Sequence, residues 1–177
     1  TNFASDIFLY DIQNNTLINV TQTSNGGSFE PSLSADGSYL SFQSSASNLV
    51  SWDTNWRQDI FLYDIQTSGM LNITINGNNN SSASSISADG RYVAFESTAS
   101  NLVSWDTNGV GDIFLYDTQT NTLVNITRSG SSASTAATLS ADGSYLSFQS
   151  SASNLVPGDT NFASDIFLYD IQNNTLI

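Results

Sequence analysis

A tandem repeat of 53 residues is the feature that most constrains how this chain can fold. The tripeptide Asp-Thr-Asn begins at Asp53, Asp106 and Asp159, so successive copies are 53 residues apart. Each copy leads into the same hexapeptide, Asp-Ile-Phe-Leu-Tyr-Asp. Repeat units of this length bury their apolar surface against their neighbours. We therefore expect stacked units that share their cores rather than one self-contained domain.

The spacing predicts the boundaries of the units. They are a partial repeat over residues 1–27, repeats over 28–80 and 81–133, and a repeat over 134–177 that ends in a copy of the N-terminal hairpin. Residues 1–18 are identical to residues 160–177, and the chain does not begin with Met. We expect the sequence to be a window on a longer array, and an engineered consensus array would show the same pattern.

Each repeat has the pattern of four short strands and no helix. The hexapeptide that starts at Asp6 has four consecutive apolar residues, which indicates a central strand buried on both faces. The turn residues Asn14 and Asn15 then predict an antiparallel hairpin with residues 17–21. After a variable polar connection over 22–29, a short strand over 31–34, an Asp-Gly turn at Asp36 and a strand over 39–44 complete the unit.

Four short strands at this spacing predict an all-β fold of tandem four-stranded antiparallel repeats, which are the blades of a β-propeller. The sequence contains four copies of the first hairpin and three of the second. A closed propeller needs at least about four complete blades. We therefore expect either a ring that further repeats or chains complete, or open, bead-like stacking of the units into a fibre.

The repeat resembles a known family. The succession Pro-Ser-Leu-Ser-Ala-Asp-Gly over 31–37, Tyr-Leu-Ser-Phe over 39–42 and Asp-Ile-Phe-Leu-Tyr-Asp over 59–64 is similar to the PD40, or TolB-like, β-propeller repeat. The longer variant with Ala-Ser-Asn-Leu-Val-Pro-Gly-Asp-Thr-Asn, matched at 152–161, resembles repeats of large bacterial, notably cyanobacterial, surface and secreted proteins. The resemblance implies propeller architecture and no single activity.

Charge and composition exclude several classes of function. The net charge is −13, with no lysine, histidine or cysteine. This field repels nucleic acid and anionic lipid and attracts cations, and the apolar runs are too short for membrane insertion. Without His or Lys to activate a serine, and with every acidic loop residue repeated in near-identical surroundings, we expect no enzyme activity.

The oxygen-rich loop is a candidate calcium site. In the central copy the side chains of Asp106, Asn108 and Asp112 occupy relative positions 1, 3 and 7, a spacing that turns oxygens toward a hard cation. The alternative is a set of Asx-turns that tie down the loop without a metal. The predicted ligands in the three copies are Asp53, Asn55 and Asp59; Asp106, Asn108 and Asp112; and Asp159, Asn161 and Asp165.

Two further sets of loop and strand residues are candidates for contacts with partners. Trp52, Trp56 and Trp105 lie beside the oxygen-rich loop, where they could contact a glycan or a protein, or pack between blades. Asn-x-Thr sequons at Asn19, Asn72 and Asn125 are possible glycosylation sites, although their regularity follows from the repeat.

These observations favour a structural protein. Near-identical repeats are expected of an extracellular or cell-surface scaffold or filament with calcium-stabilised blades, which associates with itself or with further copies of the repeat. The alternative is a propeller binding module that recognises a glycan or protein through the loop tryptophans. A periplasmic, TolB-like partner-binding role is a third possibility that rests on the resemblance.

Overall fold

The computed structural model describes residues 3–177, so residues 1 and 2 of the first predicted repeat lie outside it. The described chain consists of strands, turns and loops. None of its segments forms a helix that is long and apolar enough to cross a membrane. The fourteen strands are β1 Phe8–Asp11, β2 Thr16–Asn19, β3 Ser28–Leu33, β4 Tyr39–Ser44, β5 Asp59–Asp64, β6 Gly69–Asn72, β7 Ser81–Ile86, β8 Tyr92–Ser97, β9 Asp112–Asp117, β10 Thr122–Asn125, β11 Ser134–Leu139, β12 Tyr145–Ser150, β13 Asp165–Asp170 and β14 Thr175–Leu176.

The strands form three four-stranded antiparallel sheets, preceded by one hairpin. The sheets have the orders β3-β4-β5-β6, β7-β8-β9-β10 and β11-β12-β13-β14, while β1 pairs with β2 alone. Each sheet therefore follows chain order, as a propeller blade does, and the predicted all-β blade architecture is confirmed. The three sheets do not close into a ring within the described chain.

The hexapeptide strand is central in each sheet, as its composition predicts. In β5 the residues Ile60, Phe61 and Leu62 are all buried, although they point alternately to opposite faces. Phe61 pairs with Phe42 of β4, and the two rings stack with centroids 5.6 Å apart. The same cross-strand phenylalanine stack recurs in the other two sheets.

The cores lie between successive sheets. Ile60 and Leu62 of the first sheet pack with Val93, Phe95 and Phe114 of the second. Ile and Leu of one hexapeptide thus face the phenylalanines and tyrosines of the following sheet, and the same arrangement recurs between the second and third sheets. Since each core needs residues from two units, a single repeat would leave one face of its apolar strands in water.

The first strand of each sheet is its inner strand, and in the first sheet it begins earlier than the sequence pattern predicts. The structure extends β3 over Ser28–Leu33, where the prediction was residues 31–34, and so takes in the end of the stretch predicted as a polar connection. A β-bulge separates Phe29 from Ser32, with Glu30 at a positive φ of 53°. Glu30, Pro31 and the serines of this strand have weak strand propensity of their own, so pairing with β4 determines its extent.

Candidate functional site

The long loop between the second and third strands of each sheet, together with the first residue of the third strand, contains the predicted metal ligands and the tryptophans. In an antiparallel sheet these loops and the connections to the following sheet lie beyond the same end of the strands, because both follow strands that run toward that end. This end of the strands forms one edge of the stack of sheets. The contact of the Asn55 side chain with the Ile75 carbonyl oxygen, at 3.2 Å, joins the two segments. The loops of successive sheets therefore line one edge of the stack.

The three predicted oxygen ligands of the first loop do come together. Asn55 Nδ2 donates to Asp59 Oδ1 at 3.0 Å and to Asp59 Oδ2 at 2.9 Å. Asp53 joins them through Asn72, whose Nδ2 donates to Asp53 Oδ2 at 3.0 Å and to Asp59 Oδ2 at 3.1 Å. Both aspartates are buried, so the cluster lies beneath the loop rather than on it.

A threonine completes the cluster and fixes the strand beside it. Thr74 Oγ1 donates to Asp59 Oδ1 at 2.6 Å and accepts from the backbone N–H of Ile60 at 3.0 Å. Thr74 is fully buried. Its hydroxyl is therefore a bridge between a buried carboxylate and a buried backbone donor, both of which would otherwise need another partner.

The second loop repeats this arrangement. Asn108 Nδ2 donates to Asp112 Oδ1 at 3.0 Å, and Asn125 Nδ2 bridges Asp106 Oδ2 and Asp112 Oδ2 at 3.1 Å each. Thr127 Oγ1 donates to Asp112 Oδ1 at 2.6 Å. The cluster is thus a property of the repeat.

The third loop contains the same cluster in part. Asn161 Nδ2 donates to Asp165 Oδ1 at 2.9 Å, whereas Asp159 is only half-buried. Asp165 Oδ2 is the one buried side-chain oxygen or nitrogen of residues 3–177 that has no hydrogen-bond partner. In the two preceding repeats the corresponding atom, Oδ2 of Asp59 and of Asp112, accepts from an asparagine amide.

Burial of the aspartates changes their acidity. Desolvation is the largest effect on Asp53 and raises its pKa above the ordinary value, and the nearby negative charge of Asp59 adds to the increase. Desolvation also raises the pKa of Asp59, against the lowering effect of its Thr74, Asn72 and Asn55 hydrogen bonds. The pKa of Asp106 is raised for the same first reason. Two neighbouring buried carboxylates of this kind favour a proton, an amide donor or a cation.

The asparagines face the carboxylates with nitrogen rather than with oxygen. Asn55 Oδ1 accepts from the Arg57 N–H at 2.8 Å, which is an Asx-turn, and Asn72 Oδ1 accepts from the Thr74 N–H at 3.0 Å. Across the described residues, no three or more Asp, Glu, His or Cys side chains group in a way that could hold a metal ion. The alternative of Asx-turns that tie down the loop therefore describes this geometry, and calcium stays a prediction.

The sequons are part of this cluster, which the sequence did not reveal. Asn72 and Asn125 are buried with their amide nitrogens bonded to carboxylates, so in the folded chain they are not accessible acceptors for a glycan. Asn19, which is half-buried, likewise donates to Asp6 Oδ2 at 2.9 Å. A sequence signal existed, because Asn-x-Thr follows the first aspartate of the first three hexapeptides at a constant distance.

The tryptophans lie on the outer side of the same loops. Trp52, Trp56 and Trp105 are 88%, 82% and 82% exposed, so they do not pack between sheets. All three have positive φ, at 69°, 57° and 70°. Trp52 and Trp56 adjoin the inward-facing Asp53 and Asn55, so the buried cluster holds the loop while the indole rings project into solvent.

Glycine occupies the equivalent positions of other copies. Gly158 stands where the earlier repeats have Trp52 and Trp105, and Gly109 stands where the first loop has Trp56. Both glycines have positive φ, 86° and 70°. A left-handed conformation costs a residue with a side chain roughly 1–2 kcal/mol, whereas glycine adopts it freely. Exposed aromatic residues therefore occupy strained backbone positions, at which glycine would make the folded chain more stable.

Two phenylalanines extend this set of aromatic residues, and the sequence reasoning missed them. Phe3 and Phe162 occupy the position of Trp56 in their own copies, are almost fully exposed and have φ of 57° and 55°. Their alignment with Trp56 at the repeat spacing was the signal that could have found them. The loops of the described chain thus present aromatic side chains along one edge of the stack.

Sheets of four antiparallel strands in chain order, stacked face to face with their long loops at one edge, define the chain as a segment of a β-propeller. Comparison with solved structures agrees. TolB from Acinetobacter baumannii matches with a TM-score of 0.58 and 22% identity, over 97% of this chain and 36% of the TolB chain.

Two further matches have the same architecture. The β-propeller domain of the Trilobed protease from Pyrococcus furiosus, described as having an open velcro topology, matches with a TM-score of 0.59 and 14% identity, over 86% of this chain and 42% of that one. Porphyromonas gingivalis dipeptidyl peptidase 4 matches with a TM-score of 0.63 and 12% identity, over 97% of this chain and 28% of that one.

These similarities confirm the predicted TolB-like propeller fold. The chain spans less than half of each of these three structures, and at these identities the likeness concerns the fold alone. No family model and no curated protein matches the sequence.

Proposed function

We propose that this chain is a propeller-type binding module that recognises a glycan through its loop tryptophans. The observation behind the proposal is that Trp52, Trp56 and Trp105 are exposed at backbone positions where glycine occurs in sister repeats. Strain of this kind is concentrated at functional sites, because stability alone would favour its removal.

The loop is suited to binding because it is held rigidly from below. Asp53, Asp59 and the amides of Asn55 and Asn72 form a closed hydrogen-bond cluster beneath it. A rigid loop loses little conformational entropy when a ligand binds. Indole rings offer a large, flat apolar face with a polar N–H, which suits stacking on a sugar ring together with a hydrogen bond to a hydroxyl.

The test is retention on polysaccharide. Wild-type protein is expected to be depleted from solution by insoluble cellulose, chitin or xylan, and the double variant Trp52→Gly, Trp105→Gly is expected to lose this binding. Because glycine suits a φ near 70°, the same variant should be at least as stable as wild type. Absence of wild-type binding to all three polysaccharides would refute glycan recognition of this type.

A control variant separates the tryptophans from general surface effects. Ile12 is an exposed apolar residue in the turn between β1 and β2, away from the loop edge. Ile12→Gly should bind polysaccharide as wild type does. Loss of binding together with loss of thermal stability in the tryptophan variant would indicate a structural role instead.

The second candidate function is that of an extracellular or cell-surface scaffold or filament, which near-identical repeats favour. The periplasm is the alternative location. A specific observation supports the scaffold function: the first and last units of the described chain expose apolar residues whose counterparts are buried between sheets. Phe8 is 56% exposed, whereas the corresponding Phe61 is fully buried. Surfaces of this kind favour association with further copies of the repeat.

Calcium stabilisation of the blades belongs to this scaffold proposal. Asp53 and Asp59 would supply carboxylate oxygens, and Asn55 would supply Oδ1 after rotation of its amide. The expected result is a melting temperature that is higher in millimolar calcium than in chelator, because a ligand that binds only the folded state stabilises it. Equal melting temperatures would refute the calcium proposal and leave the amide-bonded cluster as the complete structure.

A further inference from the structure

The chain makes one sheet-to-sheet interface twice, with the same polar contacts. The bulged N–H of Ala83 in β7 donates to Gln43 Oε1 of the preceding sheet at 3.0 Å. The bulged N–H of Ala136 in β11 donates to Glu96 Oε1 of the preceding sheet at 2.7 Å. A side chain of the second strand thus caps the bulge in the inner strand of the following sheet.

A tyrosine-glycine contact accompanies each bulge. A Cβ built on Gly90 would lie 2.3 Å from Cδ2 of Tyr39 in the preceding sheet, so only glycine allows the ring this close. Gly143 has the same relation to Tyr92, at 2.9 Å. The first two strands of a sheet form its inner hairpin. Each interface therefore needs, from the following sheet, an inner hairpin with its bulge and its Asp-Gly turn. From the preceding sheet it needs a tyrosine and a Gln or Glu.

The first sheet presents one half of this interface uncovered. Leu33 is 52% exposed, whereas its counterpart Leu139 in the last sheet is 8% exposed. A Cβ on Gly37 would meet no atom within 4 Å, unlike those on Gly90 and Gly143. Glu30 has the left-handed bulge conformation of Ala83 and Ala136. Within residues 3–177, the unit that precedes this sheet is the hairpin β1–β2 alone, without the two strands that bear the tyrosine and the Gln or Glu in the other units.

The last sheet presents the other half. Tyr145 stands at the position of Tyr39 and Tyr92, and Gln149 stands at the position of Gln43 and Glu96. Tyr145 is exposed, and Gln149 Nε2 donates to Oγ of Ser164, the residue before β13, at 2.8 Å. Gln149 Oε1 is the atom that would accept from a following bulge. The two ends of the described chain are thus the two complementary sides of an interface that the chain already contains.

The hairpins at the two ends have the same sequence. Residues 3–18, which include β1 and β2, are identical to residues 162–177, which include β13 and β14. Strand β12 pairs with β13 over Tyr145–Ser150, with Phe148 opposite Phe167. Among the strands of residues 3–177, β1 pairs with β2 alone, and its Phe8 stands at the position of Phe167. Strand β12 would therefore pair with β1 in the same register.

We propose that two copies of this chain associate by hairpin exchange, in which β1–β2 of one copy replaces β13–β14 of the other and pairs with β12. The composite sheet then contains β11 and β12 of one copy and β1 and β2 of the next. This brings Gln149 to the Glu30 N–H and Tyr145 to Gly37 of the second copy. The inference rests on the scaffold function proposed above and supplies its contact.

The exchange is favourable because it replaces one interface in kind and adds another, while the displaced β13–β14 hairpin becomes exposed in place of β1–β2. Pairing of β12 with β1 replaces pairing with β13 residue for residue, and Phe8 and Tyr10 take the buried places of Phe167 and Tyr169. The contacts between the inner hairpins of the two copies are new. Because the two surfaces differ, the contact is heterologous and gives either a ring or an open chain of copies.

A ring of two copies would have the size of a closed propeller. It would contain two complete sheets from each copy and two composite sheets. This number lies within the range of about four to eight blades in closed propellers. Copies that do not close into a ring would form an open series, to which further copies could be added at either end.

The test is light scattering during size-exclusion chromatography. The full chain is refolded at rising concentration in about 150 mM salt, which screens its negative charge at distances beyond roughly 8 Å. Wild type is expected to exceed the monomer mass of 19.0 kDa. Phe8→Asp should weaken association at least about tenfold, because it places a charge opposite Phe148 in the composite sheet, while leaving the monomer's circular dichroism unchanged.

Two matched variants distinguish exchange from other contacts. Gln13→Glu, in the turn of the same hairpin, should associate like wild type, because Gln13 and its counterpart Gln172 in the last hairpin are both exposed. Ile166→Asp, in β13 at 74% exposure, should also associate like wild type, because β13 is the displaced strand. A monomeric Ile166→Asp would overturn exchange in favour of face-to-face docking on the intact last sheet.

The remaining outcomes separate the interface from the scaffold function. If wild type and all three variants associate equally, another surface is responsible; the exchange is then refuted and the scaffold function stands. If wild type stays monomeric at every concentration, both fail. A synthetic peptide of residues 160–177 in excess should reduce wild-type association by occupying β12, and no reduction would also count against exchange.

Discussion

The hydroxyl of Thr74 offers a direct test of the buried cluster. Thr74→Val replaces it with a methyl group of nearly the same size, so packing is preserved while two hydrogen bonds are lost. These are the bond to Asp59 Oδ1 at 2.6 Å and the bond from the Ile60 N–H at 3.0 Å. Asp59 keeps its bonds to Asn55 and Asn72, whereas the Ile60 N–H faces a methyl group.

The expected loss is about 3 kcal/mol of unfolding free energy. An unsatisfied buried N–H costs roughly 1–3 kcal/mol, and loss of a hydrogen bond to a charged group roughly 1.5–3 kcal/mol. The two overlap and the added methyl recovers a part, which gives the figure of about 3 kcal/mol. Thr74→Ser is the matched control, since it keeps the hydroxyl and loses one buried methyl, at about 1 kcal/mol.

The assay is urea unfolding followed by far-ultraviolet circular dichroism, together with thermal melts. A difference of about 2 kcal/mol between the Val and Ser variants corresponds to roughly 4–8 °C in melting temperature for a chain of this size. Thr127→Val should behave alike, because Thr127 makes the same two bonds, at 2.6 and 3.0 Å. A Val variant as stable as the Ser variant would refute the bridging role of the hydroxyl.

Two further predictions concern the stacking of the sheets and the charge of the cluster. In monomeric protein, Gly90→Ala should lower the unfolding free energy by about 2 kcal/mol more than Gly37→Ala does. Both glycines have a φ of +70°, but only a Cβ on Gly90 would meet the Tyr39 ring. Equal melting temperatures of the two variants would contradict this contact. Asp53 has a raised pKa, so its folded form binds a proton more tightly than the unfolded chain does, and lowering the pH from neutrality toward the ordinary value of 3.8 should favour folding at this site. The unfolding free energy of wild type should therefore rise relative to that of Asp53→Asn as the pH falls through this range, and a pH-independent difference would contradict the burial of the charge.

Local sequence patterns were sufficient for several elements of each blade. The strand predicted over 39–44 is β4 as observed, and the antiparallel hairpin predicted around Asn14 and Asn15 is the pair β1–β2. Leu49 and Val50 pack against the core of the first sheet. These features depend on neighbours in sequence and on alternation of apolar residues, which a single repeat displays.

The inner strand and the candidate site depended on distant parts of the chain. The bulge at Ala83 is capped by Gln43, which lies 40 residues earlier in another sheet, so no local pattern marks it. Asn72 and Thr74 read as a glycosylation sequon until the fold brings them to Asp59. The tryptophans could equally have been core residues by composition, and only their exposure and positive φ distinguish a binding edge from packing between sheets.

The sequence by itself determined the repeat length, the four-stranded blade and the complementary apolar faces, because periodicity and turn chemistry are local and recur in every copy. Only the tertiary structure decided which polar groups satisfy one another and which aromatic residues remain in solvent. The physical reason is that a buried carboxylate or a bulged N–H takes whichever partner the stacking of sheets brings within hydrogen-bond distance. That partner lies in another strand or another sheet, where the order of residues along one repeat does not reveal it.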